Sequence, residues 1–104
     1  MESEFQAVVD GDIIRIAIRR SRVDAASAGV FKEVVSSTWQ PTLKHAVIDM
    51  SQVEFVDSSG VGALLGVLRR LPQGEGSVVL KAMRPQVLSV IELLRLHRVF
   101  QIEE

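Results

Sequence analysis

The stretch His45-Ala46-Val47-Ile48-Asp49-Met50-Ser51-Gln52-Val53-Glu54-Phe55-Val56-Asp57-Ser58-Ser59-Gly60-Val61-Gly62-Ala63-Leu64-Leu65 decides how the rest of the chain is read. Ala46 to Met50 is a short apolar run bounded by polar residues, which suits a central strand covered on both faces. Val53 to Val56 leads into Asp57-Ser58-Ser59-Gly60. From there to Leu71, Val61, Leu64, Leu65 and Leu68 recur at helical spacing. Asp57 and Ser58 therefore sit where a helix begins. Unpaired amides and the positive end of the helix dipole accommodate an anion there, a phosphate included. A serine at that place is exposed, and its own fold tolerates its phosphorylated form. Gly60, Gly62 and Gly66 each cost the helix roughly 1 kcal/mol relative to alanine. Either a neighbouring element packs against their bare backbone or a partner protein comes close.

Upstream, Phe5 to Val9 reads as a short strand, Asp10-Gly11-Asp12 as a turn, and Ile13 to Ile18 as a second, β-branched strand. The two form an opening hairpin. Asp24 is an N-cap candidate for a helix from Ala25 to Trp39. Ala26, Val30, Phe31, Val34 and Val35 supply its buried stripe, and Pro41 stops it. Trp39 reads as core or edge packing near Pro41. Downstream, Pro72 and Gln73-Gly74-Glu75-Gly76 break the chain before a strand from Ser77 to Lys81. Pro85 suits the first turn of a further helix, with Val87, Val90, Ile91 and Leu94 as its apolar stripe. Val99 to Ile102 reads as a closing strand. The order β-β-α-β-α-β-α-β implies an α/β fold: a largely parallel or mixed sheet of about four to five strands with right-handed crossovers and three or more helices.

With 104 residues, 47% of them hydrophobic, the chain suits one domain over residues 1–104 with one core. A formal net charge of -1 gives no basic face for nucleic acid. The absence of cysteine excludes disulfides and thiolate metal sites. The acidic start, Met1-Glu2-Ser3-Glu4, lacks the apolar core of a secretory signal. No apolar run reaches the ~18 residues of a membrane span. A cytoplasmic protein without direct membrane insertion is the expectation.

Catalytic and cofactor readings fit poorly. A nucleophilic serine needs a base beside it. His45 precedes its strand at the end opposite Ser58, and His97 lies near the C-terminus. The Gly-x-Ser-x-Gly pattern is absent. Gly60 to Gly66 fails the dinucleotide pattern, with Leu65 in the third glycine's place, and has no phosphate-loop lysine. Asp49 and Asp57 make a weak metal pair; Asp49 reads better as a strand-end carboxylate satisfied by nearby backbone. Arg84, Arg95 and Arg98 read as a solvated face. On local sequence alone Ser58 is a helix cap. No enzyme activity, cofactor or metal is expected.

The run from Asp49-Met50-Ser51 through Phe55-Val56-Asp57-Ser58-Ser59-Gly60-Val61-Gly62 resembles the signature of STAS domains, and within them of bacterial anti-sigma-factor antagonists. Met50 replaces the usual leucine, and the order of elements matches that fold over nearly the whole chain. The resemblance implies a partner switch. A serine-protein kinase that is also the anti-sigma factor phosphorylates the serine after the aspartate, here Ser58. The unphosphorylated form binds that kinase and frees the sigma factor. The phosphorylated form does not bind, and a metal-dependent serine phosphatase resets it. Asp24 resembles a position near the phosphorylated serine, and Asp57 is placed to orient Ser58 or meet the kinase. Ser59 is the alternative acceptor, and Gly60 and Gly62 belong to the same interface.

The chain departs from the family pattern in three places. Leu96-His97-Arg98-Val99-Phe100 stands where a glycine is common. Arg19-Arg20-Ser21-Arg22 replaces a commoner glycine and acidic or apolar residues, which bears on kinase choice. A further C-terminal helix of many members has no counterpart before Glu104. Two other readings stay open: a STAS subunit of an ATP-binding-cassette lipid transporter, and a partner switch controlling a non-sigma target such as secretion.

Overall fold

The computed structural model describes residues 4–104. Strands β1 (Phe5–Asp10) and β2 (Ile13–Ile18) form an antiparallel hairpin in which Asp10 pairs with Ile13 and Phe5 with Ile18. The turn between them is tight because Gly11 takes φ +65°, which costs a residue without Cβ almost nothing. The chain continues through β3 (Arg22–Val23), α1 (Ala25–Thr38), β4 (His45–Asp49), β5 (Phe55–Val56) and α2 (Ser58–Arg70). It ends with β6 (Ser77–Lys81), α3 (Pro85–Leu93), a 3₁₀ turn (Leu96–Arg98) and β7 (Gln101–Glu103). The main sheet has the order β1-β2-β4-β6-β7, and β3 and β5 make a separate two-stranded ladder. Every pairing but the hairpin is parallel. This is the mixed α/β architecture that the alternation of patterns implies.

The three helical crossovers, β2 to β4, β4 to β6 and β6 to β7, all step the same way along the sheet. Right-handed crossovers stepping one way stack their helices on one face. The strands agree: Ile14, Ile16, Ala46, Ile48, Val78 and Leu80 are buried, while Arg15, Asp49 and Lys81 are exposed and Val47 is half-buried. The expectation that β4 is covered on both faces is thus corrected. No crossover is left to bring a helix over its second face, although its inward residues complete the core. Burying each of the Ile, Val and Leu side chains contributes about 1.5–3 kcal/mol. Phe5 packs edge-to-face on Phe31, with ring centroids 5.4 Å apart, and so ties the outer hairpin to α1.

Several helix faces differ from the sequence reading. In α1 the buried residues are Ser27, Ala28, Phe31 and Val35, with Val34 half-buried; Ala26 and Val30 are exposed. Apolar residues occupy two adjacent stripes of this helix, and the large Phe31, seated on Phe5, selects which one turns inward. Trp39 is the C-cap rather than the last helical residue; it is half-buried beneath the Arg70 guanidinium, 5.4 Å from its ring. In α2, Val61 and Leu64 are buried with Ala63 and Val67, whereas Leu65 and Leu68 are half-buried. In α3, Val87 and Ile91 are buried and Val90 half-buried, but the helix stops at Leu93 and leaves Leu94 51% exposed.

The closing strand begins later than expected, at Gln101, because Leu96–Arg98 forms the 3₁₀ turn that drops Phe100 into the core. β7 pairs with β6 from Val79↔Gln101 to Lys81↔Glu103, so the edge is formed without a glycine between Leu96 and Phe100.

Candidate functional site

The small ladder of β3 and β5 builds the site. Its parallel register sets Arg22 against Phe55 and Val23 against Val56. Each strand runs straight into a helix N-cap, Asp24 for α1 and Asp57 for α2. Equal register therefore brings two aspartate-capped helix starts side by side. The Asp57 amide donates to the Val23 carbonyl at 3.3 Å, which extends the ladder into the cap.

The two caps differ. Asp57 Oδ1 accepts the Gly60 amide at 2.9 Å, satisfying one of the free donors of the first turn. Asp24 works through Ser27: its own amide donates to Ser27 Oγ at 3.0 Å, and that hydroxyl lies 3.2 Å from Asp24 Oδ1. Ser27 is the buried polar residue of the core margin, and this capping box gives its hydroxyl partners. The second carboxylate oxygen, Asp24 Oδ2, accepts from Arg22 Nε at 3.2 Å. The Arg22 hydrogen bond, helped by those from Ser27, holds the Asp24 carboxyl below the usual range despite some desolvation. The Arg22 guanidinium also lies 4.1 Å over the Phe55 ring, so cation and aromatic cover the ladder from outside.

Ser58 and Ser59 occupy the first two positions of α2, and both are exposed. The cap is Asp57, so the reading of Ser58 as the cap residue gives way: a carboxylate one residue earlier already serves the amide three positions on. The Ser58 hydroxyl thus stands on an open surface at a helix N-terminus, beside the half-buried Asp57. Gly60 is fixed by close approach. A Cβ there would lie 2.1 Å from the Val23 carbonyl oxygen and 3.0 Å from Val56 Cγ1. At Gly62 and Gly66 an added Cβ meets nothing within 4 Å. Of the two explanations for helical glycine, packing within the fold accounts for Gly60 alone.

Asp24, Asp57, Ser58, Ser59 and Gly60 are thus gathered by one ladder, with Gly62 one helical turn beyond Ser58. Other singled-out residues lie elsewhere. His45 starts β4 and hydrogen-bonds Ser77 through Nδ1 at 2.8 Å, and His97 is in the 3₁₀ turn. Asp49 ends β4, and its Oδ1 accepts the Ser51 amide at 2.9 Å. That hydrogen bond, with the charges of Lys81 and Arg19, lowers its pKa against desolvation. Among the described residues no group of three histidine or acidic side chains could hold a metal ion. Nor is any helix among them long and apolar enough to cross a membrane.

Two contacts, made by three residues, escaped the sequence. Arg22 stands in the Arg19-to-Arg22 run and Phe55 in the signature, but they are far apart in the chain and no local pattern marks their stacking. Arg84 is exposed, as expected of a solvated face, and also fastens the loop before β5: its Nε donates to the Ser51 carbonyl at 3.0 Å, and its guanidinium is 3.9 Å from Glu54. That contact spans 33 positions and has no local signal.

Comparison with known proteins follows the same lines. A family model described as the STAS domain matches residues 4–104. BtrV of Bordetella bronchiseptica, named as a candidate anti-sigma factor antagonist, is 26% identical over 85 residues, which are 82% of this chain and 72% of BtrV. The anti-sigma factor antagonist SpoIIAA in its unphosphorylated form superposes with TM-score 0.68 at 24% identity, over 86% of this chain and 82% of that one. The phosphorylated form of the Bacillus cell-fate determinant SpoIIAA gives 0.70 at 23% identity, over 94% and 89%. An anti-sigma factor antagonist of Mycobacterium paratuberculosis gives 0.79 at 20% identity, over 95% and 83%. At such identities the structural likeness speaks for the fold, and the family model covers all the described elements. The chain is a member of the STAS domain family, and BtrV and SpoIIAA, which it resembles, are named anti-sigma factor antagonists.

Proposed function

We propose that this protein is an anti-sigma-factor antagonist that works as a partner switch with Ser58 as its phosphorylation site. In the unphosphorylated state it binds a cognate serine-protein kinase, which is also the anti-sigma factor, and so frees the sigma factor. Phosphorylation of Ser58 ends that binding, and a metal-dependent serine phosphatase restores it. The protein acts in the cytoplasm, through binding rather than catalysis. The observation that carries this reading is the exposed Ser58 at the first position of α2, directly after the cap Asp57, with the Asp24-capped start of α1 set alongside by the β3–β5 register. That SpoIIAA is known in both unphosphorylated and phosphorylated forms supports it.

The physics is local. A phosphoryl group adds about -1.5 to -2 charges at neutral pH. The helix N-terminus receives it without refolding. A partner surface matched to a neutral hydroxyl must instead bury an anion close to Asp57 and near Asp24. Like-charge contact and desolvation of this kind cost several kcal/mol, and each ~1.4 kcal/mol is a tenfold loss of affinity. Ser59, one position further along the same turn, is the second acceptor.

Intact-mass spectrometry after incubation with host lysate and ATP tests the site. One phosphoryl group is expected on the parent and none on Ser58→Ala. Equal phosphorylation of both moves the site to Ser59. Phosphorylation of neither, beside an active kinase control, favours a STAS subunit of an ATP-binding-cassette transporter; a kinase that acts on Ser58 but regulates no sigma factor points to a non-sigma target such as secretion.

A further inference from the structure

Helix α2 carries a line of residues without bulk, Ser58, Gly62 and Gly66, at four-residue spacing on one face. The line ends in a groove between α1 and α2 of about 120 Å³, lined by Phe31, Lys32, Val35, Ala63, Gly66, Val67 and Arg70. Its floor is apolar, since Phe31, Val35, Ala63 and Val67 are all buried. Its rims are cationic and hold no carboxylate: Lys32 stands on α1 and Arg70 on α2. Arg70 is held there by Ser36 Oγ and by the Trp39 ring. Arg69 adds an exposed positive charge beside it. The one acidic residue of α1, Glu33, lines a different depression with Val34, Ser36 and Ser37, and α2 has none. Gly66 opens the groove. A Cβ there would meet nothing within 4 Å, so helix propensity favours alanine and most other residues over glycine at that position.

We infer that this groove is a second contact for the kinase of the proposed switch, taking one apolar side chain flanked by carboxylates. The volume suits a single leucine-sized side chain, and the cationic rims complement the flanking acids. Gly66 lies eight residues beyond Ser58, about 12 Å along the helix axis. One partner surface can cover both. Contact at the groove does not change with phosphorylation, so it sets which kinase binds while Ser58 sets when. This rests on the partner-switch reading.

Two substitutions separate the roles. Gly66→Leu fills the groove from the helix that carries it, and Lys32→Glu reverses one rim. The measurement is the Kd of the purified host serine-protein kinases for each variant, together with thermal unfolding. Gly66→Leu is expected to unfold at a higher temperature, by several degrees, and yet to bind its kinase at least about tenfold more weakly. Lys32→Glu is expected to weaken binding at low salt, with a smaller effect at high salt. Parental affinity of both variants for a kinase that no longer binds Ser58→Asp overturns the groove and leaves the switch standing. Loss of binding in both variants, with Ser58→Asp bound like the parent, keeps the groove and overturns the switch. Self-association of the parent that Gly66→Leu abolishes would give the groove to a second copy instead.

Discussion

At the scale of single residues, the site is set by what a side chain would touch. Gly60 and Gly62 look alike in the sequence, two glycines in one helix turn. Their surroundings are opposite. Val23 O is 2.1 Å from a Cβ at Gly60, and nothing is within 4 Å of one at Gly62. Gly60→Ala is therefore expected to destabilise the protein by about 1–3 kcal/mol, because backbone must move to make room. Gly62→Ala is expected to stabilise it by roughly 1 kcal/mol. Urea denaturation of the two variants checks the sign; equal effects would mean that α2 does not lie on β3 as described. Asp24 was legible as a cap because N-cap residues leave a local signature. Asp57, the cap of α2, was read at the helix start but given its role only through the family resemblance. That Ser58 follows the cap, instead of forming it, was not legible, since adjacent Asp and Ser are equally good candidates. Nothing in the sequence signalled that Arg22 and Phe55 meet. Their stacking exists only because two strands of two residues each come into register.

Elements follow period and punctuation, and they fail where those are weak. The long runs were readable: the hairpin, α1, α2, β6 and α3 all stand within a residue or two of their sequence limits. The short ladder strand β3 was not readable, as two residues carry no period. The face of α1 was misassigned at Ala26 and Val30 because a helix with apolar residues on two stripes does not say which one the sheet will take. The end of α3 is similar. The apolar stripe continues to Leu94, but the chain turns away at Arg95, which takes the left-handed φ of +59°. A residue with a Cβ holds that conformation at a cost of roughly 1–2 kcal/mol, which glycine avoids. Arg95→Gly is expected to raise stability by about 1 kcal/mol, less what glycine's unfolded chain regains in freedom. A rise in the midpoint of thermal unfolding is the reading. A fall of the same size would mean that the Arg95 side chain makes up for its backbone.

Over the whole molecule, topology separates two tasks. All three crossovers step one way, so the helices share one sheet face and the core lies between. The βα order and the mixed sheet were legible because alternation of periods survives any error of a few residues. One-sided coverage was not, since an apolar strand such as Ala46–Ile48 reads the same whether one face or both are packed. The ladder of β3 and β5 stands apart from the main sheet and carries the site. A charge added at Ser58 therefore acts on a surface built from two strands and two helix ends, leaving the core untouched. In the proposed switch the partner would then sense phosphate directly, with no conformational relay. The most direct measurement is calorimetric titration of the kinase that modifies Ser58 with three preparations: the unphosphorylated protein, the fully phosphorylated protein and Ser58→Ala. The account predicts tight binding by the first and third and at least a ~100-fold weaker Kd, about 2.7 kcal/mol, for the second. Equal affinity of all three, with the phosphorylated protein still folded, would contradict it.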